Sequence, residues 1–337
     1  MRDFAVFFCA VAGFCASGCT SSTAAPAAVD ASAACSAIDD ALRLHQIQML
    51  GTHNSYHVAK DKPIFADLNY THQPLDVQLN AQGVRAFELD LHHIAANKPI
   101  VVEHIEGIDD VSSCPNLGAC LQILKTWSDA HPCHHALVVL LEPKDELETS
   151  AITEHLPQVE TEILAVWPRS RLVTPDDVRG SAADVKTGVN QQGWPTMSAT
   201  RGKLVLVLYD KNELGIAYRK LHPKLKDAVA FVFGEPEDAD TATVLRDNPL
   251  KSADIAALVQ KGYLIRTFPE GNLAEGQAAV ASGAQVVSTD FPIDRAWAPG
   301  YALHLPGGQP SRCNPVLSLP NCTTDAVNAG VTVGTQP

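Results

Sequence analysis

The stretch GTHNSYHV, residues 51–58, closes an apolar run and sets His53 beside Asn54. Further along, FELD holds Glu88 and Asp90 two apart, so in a strand both project from one face. Two carboxylates pointing together repel unless a cation or a shared proton relieves them. The plainer alternative pairs one of them with Arg85 and leaves the other solvated. Asn54 adds a neutral oxygen and Glu142 a third carboxylate. Oxygen donors of this kind suit calcium better than magnesium, which favours stricter octahedral geometry and fewer protein ligands. His53 and His104 are not needed by so hard a cation. Histidines flanking a cation suit phosphodiester cleavage, where one group helps a hydroxyl attack phosphorus and another protonates the leaving oxygen. The metal would neutralise phosphoryl charge and lower the pKa of the attacking hydroxyl. Lys144 and Arg266 could steady anionic oxygens. A single histidine is more often structural than catalytic, so the reading rests on the set.

These residues lie far apart in the chain, and a fold must gather them. Eight short apolar runs stand out: 47–52, 84–90, 99–104, 136–142, 203–209, 228–234, 263–268 and 284–290. Helix-like segments lie between several of them. LGACLQILKTWSDAH repeats Leu117, Leu121, Leu124 and Trp127 at spacings of three and four, and DIAALVQKG ends on Gly262. Strands alternating with helices predict a parallel sheet, and eight such units predict a single-domain α/β fold, a (β/α)8 TIM-like barrel over residues 41–300. Active sites of such barrels sit at the C-terminal strand ends. The predicted ends carry His53 and Asn54, Glu88 and Asp90, His104, Glu142 with Lys144, Asp210, Glu235, Arg266 and Asp290. Strand ends meet solvent and are often polar in any case, but that does not account for these types. HPCHH at 131–135 follows a helix and precedes a strand, which predicts a loop at the opposite end of the barrel; His92 and His93 are left without a role.

The chain has 337 residues, 46% hydrophobic and 19% charged, enough apolar content for a sizeable core. Its formal charge of -13, with no basic run, argues against nucleic acid as a partner and against strong attraction to an anionic membrane. Residues 1–19 run from an early Arg through an apolar stretch to small residues, the order of an export signal. ASGC at 16–19 resembles a bacterial lipobox, which would make Cys19 a lipidated anchor in the cell envelope; cleavage further on would release a secreted protein. Residues 20–40 read as a flexible tether and 301–337 as a C-terminal wrap. Six cysteines outside the leader suggest three disulfides, one of them Cys313 with Cys322, with the pairing of the other four open. A monomer is expected.

The set GTHN, ELD, a run ending in His104 and LLEPK resembles the catalytic half of calcium-dependent phosphoinositide-specific phospholipase C, most closely its bacterial branch. YTHQPLDVQLNAQGVRAFELD, WSDAHP, GWPTMSATRGKLVLVL and ASGAQVVSTDFP carry the likeness across residues 44–296. The resemblance implies an irregular barrel that cleaves phosphatidylinositol by attack of the inositol 2-hydroxyl, yielding diacylglycerol and a cyclic inositol phosphate. It implies His53 and His104 as the catalytic histidines, with His104 the acid. Asn54, Glu88, Asp90 and Glu142 would be the calcium ligands, and Glu88 or Glu142 the base. Lys144 and Arg266 are assigned to the phosphate by position alone. Metal-independent bacterial phospholipases carry Asp where Asn54 stands, and glycerophosphodiester phosphodiesterases open with His-Arg, so both resemble the chain less. Chemistry on another phosphodiester, or headgroup binding without turnover, are the alternatives.

Overall fold

In a computed structural model, residues 35–95, 97–144, 155–209, 214–293 and 301–331 are described. The strands are β1 (Ile47–Thr52), β2 (Ala86–His92), β3 (Val101–Val102), β4 (Leu137–Pro143), β5 (Leu172–Val173), β6 (Leu204–Leu208), β7 (Phe231–Val232), β8 (Thr243–Leu245), β9 (Leu264–Thr267), β10 (Val286–Thr289) and β11 (Ser311–Cys313). Parallel pairing runs β8–β9–β10–β1–β2–β4–β6–β7. A single parallel bridge between Phe233 and Thr243 joins the two ends of this curled sheet. The fold is thus the expected TIM-like one, irregular where β5 and β7 both pair with β6 at different heights.

Period-two alternation sorts the side chains. Phe87, Leu89, Leu137, Val139, Leu141, Leu204 and Leu206 pack with the helices Leu117–Ala130 and Leu156–Val166. Ala86, Val138, Leu140, Val205 and Val207 belong to a second core with Met49 and Val286. Carrying that inner register toward the strand C-termini leads to Glu88, Asp90, Glu142 and Tyr209, so the alternation that fills the core also delivers polar groups to its upper end. Gly51 keeps that interior closed: a Cβ there would lie 3.0 Å from that of Ala86.

Three expectations need correction. The run 99–104 is not a barrel strand: β3 pairs antiparallel with β2 as a ribbon, through Leu91 with Val102 and His92 with Val101. The connection between the two is too short for a crossover helix, and a parallel return needs a dozen residues or more. Its place in the ring is taken by β8, which lay outside the eight runs. The tether does not extend to residue 40, because Cys35 is bonded to Cys133 and the buried Asp39 meets Arg201 at 2.7 Å. The leader, Cys19 and residues 20–34 lie outside the described residues, as does Asp210. The C-terminal segment adds β11 antiparallel to β1 and holds the Cys313–Cys322 disulfide; Cys114–Cys120 is the third.

HPCHH precedes β4, at the strand N-termini, as expected. His134 is buried against Ser128 and His135 against Ser311, at 2.6 Å each.

Candidate active site

β1 ends where the chain must turn above its neighbours. Asn54 adopts a left-handed φ of 43°, a conformation that asparagine tolerates better than most residues. Ser55 fastens this turn to β2: its N–H donates to the Glu88 carbonyl at 3.0 Å and its Oγ accepts from the Glu88 N–H at 2.8 Å. The Asn54 turn is therefore fastened to the β2 backbone at Glu88. On the other side the His53 N–H extends the β1–β10 ladder to the Thr289 carbonyl at 3.1 Å.

Glu88, Asp90 and Glu142 present oxygens all within 4.8 Å of one another, and Asp90 and Glu142 are register partners across β2 and β4. Glu88 is anchored through Oε2 by Arg266 at 2.8 Å and the Tyr209 hydroxyl at 2.9 Å. Its Oε1, Asp90 Oδ1 and Asn54 Oδ1 are buried without a hydrogen-bond partner among the described residues. Buried oxygens left this way are costly unless a cation takes them. Arg85, the alternative partner for this pair, instead donates to the carbonyls of Leu79 and Val84. Neutral and charged hard oxygens converging from two strands and a turn fit calcium.

Lys144 stands at the rim of this cluster, 2.9 Å from Asp90 and 3.1 Å from Glu142. Burial pushes the Asp90 carboxyl up, to about 7, with Lys144 opposing and Glu142 and Glu88 reinforcing the rise. Arg266 donates to Ser288 and Asp247 as well as to Glu88. Both cations that the sequence assigns to phosphate thus hold carboxylates.

His53 lies against Phe268, ring centroids 4.5 Å apart, with Nδ1 2.9 Å from Asp290 and Nε2 3.5 Å from Glu88. Burial alone would lower its pKa, but Asp290 and Glu88 outweigh it and raise it to about 9. His104, in the loop after β3, sets Nδ1 2.8 Å from Asp109. Its pKa is lowered, burial and Lys144 prevailing over Asp109. Both imidazoles line one cleft of about 520 Å³, together with Asn54, Tyr70, Phe268 and Asp290.

The structure thus gathers His53, Asn54, Glu88, Asp90, His104, Glu142, Lys144 and Arg266 into one region. Sequence reasoning gave no role to Asp290, although it stood at a predicted strand end, nor to Tyr209. It missed Asp109 altogether, a loop residue outside every periodic pattern. Glu235 is drawn away, pairing with Arg246 at 2.7 Å. His92 Nε2 donates to the Glu103 carbonyl at 3.0 Å, and His93 stacks on His155.

A curled β/α sheet with a hard-cation site and one imidazole at its C-terminal strand ends, and a second imidazole on a loop beside them, suits metal-assisted phosphodiester chemistry of the barrel class. A family model described as phosphoinositide phospholipase C, Ca2+-dependent, matches residues 42–97 and 92–315. The chain belongs to this family, an enzyme family that works with calcium. In fold it is similar to a calcium-dependent phosphoinositol-specific phospholipase C from Pseudomonas sp., with a TM-score of 0.62, 18% identity and coverage of 82% of this chain and 96% of that one. It is also similar to a Ca2+-dependent phosphatidylinositol-specific phospholipase C from Streptomyces antibioticus, with a TM-score of 0.57, 20% identity and coverage of 74% and 95%. No curated protein matches the sequence.

Proposed function

We propose that the enzyme cleaves phosphatidylinositol by attack of the inositol 2-hydroxyl on phosphorus, releasing diacylglycerol and inositol 1,2-cyclic phosphate. The observation that carries this reading is the pairing of the buried donor cluster with two differently tuned imidazoles over one cleft. Asn54, Glu88, Asp90 and Glu142 would hold a calcium ion, which when bound neutralises phosphoryl charge and makes the hydroxyl more acidic. The 2-hydroxyl proton passes to a carboxylate of the cluster as the new O–P bond forms. His53, kept cationic by Asp290 and Glu88, donates a hydrogen bond to the phosphoryl oxygen as negative charge develops there. His104 gives a proton to the glycerol oxygen as the P–O bond to diacylglycerol breaks. Lys144 and Arg266 orient the carboxylates and add positive charge next to the phosphate.

The substrate is proposed to be reached at a lipid surface. Ile64 and Phe65, 65% and 58% exposed, lie between β1 and the helix Leu75–Ala81, on the same end of the barrel as the cleft. Leu250, after β8, and Leu273, after β9, are exposed on that end too. Asp67 and Glu270 line the cleft beside the imidazoles, an environment that favours an inositol without further phosphates. Export, with or without an anchor on Cys19, is proposed from the leader, and three disulfides suit an oxidising compartment. Among the described residues no helix is long and apolar enough to cross a membrane.

The direct test is the phosphorus NMR spectrum of the first product formed from phosphatidylinositol. A cyclic phosphodiester resonance is expected; an acyclic monoester from the earliest time point would contradict attack by the 2-hydroxyl.

A further inference from the structure

His104 is not placed by a barrel strand. It follows a two-residue ribbon, and a loop imidazole held only by its own backbone would be a poorly aimed acid. Asp109 supplies the aim. Residues 105–109 close a tight turn through Gly107, whose φ of 73° suits glycine. In this turn the Asp109 carbonyl accepts from the N–H groups of His104 and Ile105 at 3.3 and 3.1 Å, and the Asp109 N–H returns to the Ile105 carbonyl at 2.8 Å. The carboxylate, only 2% exposed, then reaches the ring of the residue whose backbone it already holds: Oδ2 lies 2.8 Å from His104 Nδ1.

A second imidazole shares that carboxylate. His57 is fully buried, and its Nε2 lies 2.8 and 3.0 Å from the two Asp109 oxygens. Its ring stacks on Tyr70 at 4.2 Å, and the Tyr70 hydroxyl accepts from Asn54 Nδ2 at 3.2 Å. The His57 N–H donates to the Asn54 carbonyl at 2.9 Å. One buried cluster therefore runs from the Asn54 turn to His104.

Resting on the phospholipase reading above, we propose that Asp109, itself braced by His57, is the positioning residue of the acid. It accepts the His104 Nδ1–H, directs Nε2 into the cleft toward the leaving oxygen, and stabilises the imidazolium that must donate there. A carboxylate behind a catalytic histidine commonly sets tautomer and orientation in this way. Asp109 touches no reacting atom, so its influence is expected only where a proton must reach the leaving group.

The test compares Asp109→Asn and His104→Ala on phosphatidylinositol and on inositol 4-nitrophenyl phosphate, whose leaving group needs little protonation. Asp109→Asn is expected to lower kcat about 100-fold or more on phosphatidylinositol, the scale of general-acid catalysis, but less than about 10-fold on the nitrophenyl ester, with KM little changed. His104→Ala should show the same selectivity. Equal losses on both substrates for a folded Asp109→Asn protein, alongside selective loss for His104→Ala, would overturn the positioning role alone. Equal losses for His104→Ala would remove the acid assignment beneath it. Should Asp109→Asn not fold, the imidazole 15N shifts of His104 in the unmodified protein decide: Nδ1 is expected to keep its proton at every pH while Nε2 gains and loses the one it donates, and a neutral ring protonated at Nε2 overturns the proposal.

Discussion

Glu88 Oε2 lies 2.8 Å from the Arg266 guanidinium, so a carboxylate of the acidic cluster is gripped from behind while its other oxygen stays buried, 3.5 Å from His53 Nε2. Arg266 is 2% exposed and divides its donors among Glu88, Ser288 and Asp247. A lysine offers no planar fork to match three separate acceptors. Arg266→Met is expected to cost about 3–5 kcal/mol of stability, the scale for removing one partner of a buried ion pair. Arg266→Lys should restore less than about a tenth of the lost turnover. Urea unfolding and kcat on the two variants check this; full recovery with lysine would reduce Arg266 to a point charge.

Asp90 should affect stability in opposite directions with and without calcium. Without the ion it is a buried carboxylate close to Glu88 and Glu142, with Lys144 as its cation. Asp90→Asn removes like-charge repulsion and should leave the chelated protein at least as stable. Calcium at about 100 times its dissociation constant should stabilise the parent by about 2.7 kcal/mol and the variant far less. Melting curves with calcium and with chelator measure both arms; an undiminished calcium shift in the variant would take Asp90 out of the ligand set.

Much of this was legible before folding. The period-two pattern of FELD placed two carboxylates on one face, and seven of the parallel strands could be read from apolar runs alone. The ribbon at 99–104 was misread because its composition matches a barrel strand, although the short link from Asp90 rules out a crossover. β8 was missed because its TVL core is brief and lies between Thr241-Ala242 and Arg246, so no hydrophobic run announces it. Asp109 carries no signal at all: its partners His57 and His104 are joined only by a turn and by tertiary packing.

Acid should weaken the fold through histidines remote from the cleft. Burial, aided by Arg43, lowers the His45 pKa to about 4. Burial lowers that of His134 to about 3, against the pull of the His135 carbonyl and with Arg85 and Arg171 adding to the fall. A lowered native pKa means that the unfolded chain binds the proton first. The stability contributed by each neutral ring is complete above about pH 6.5 and is lost as pH falls toward 4 for His45 and 3 for His134. Each ring adds up to about 1.4 kcal/mol per pH unit to the slope within its window. Chemical denaturation of His134→Gln between pH 6 and 4 should show a slope shallower by about that amount; an unchanged slope would refute the assignment.

The exposed pair Ile64 and Phe65 should matter for lipid and not for chemistry. Ile64→Asp with Phe65→Asp is expected to reduce cleavage of phosphatidylinositol in phosphatidylcholine vesicles about 10-fold or more. Hydrolysis of a soluble inositol phosphodiester should change less than about twofold. Equal rates on vesicles would place the lipid contact elsewhere on the barrel rim.

One calcium ion, held by Asn54, Glu88, Asp90 and Glu142, is proposed to make the cleft active. The most direct measurement of this is a calcium titration of the chelated protein, with phosphatidylinositol turnover and calorimetric binding recorded over the same range. No turnover is expected in chelator, with a rise that follows the filling of a single site and a shift of both curves to higher calcium by at least about 10-fold in Asp90→Asn. Turnover that persists in chelator, or a rise unconnected with that site, would contradict it.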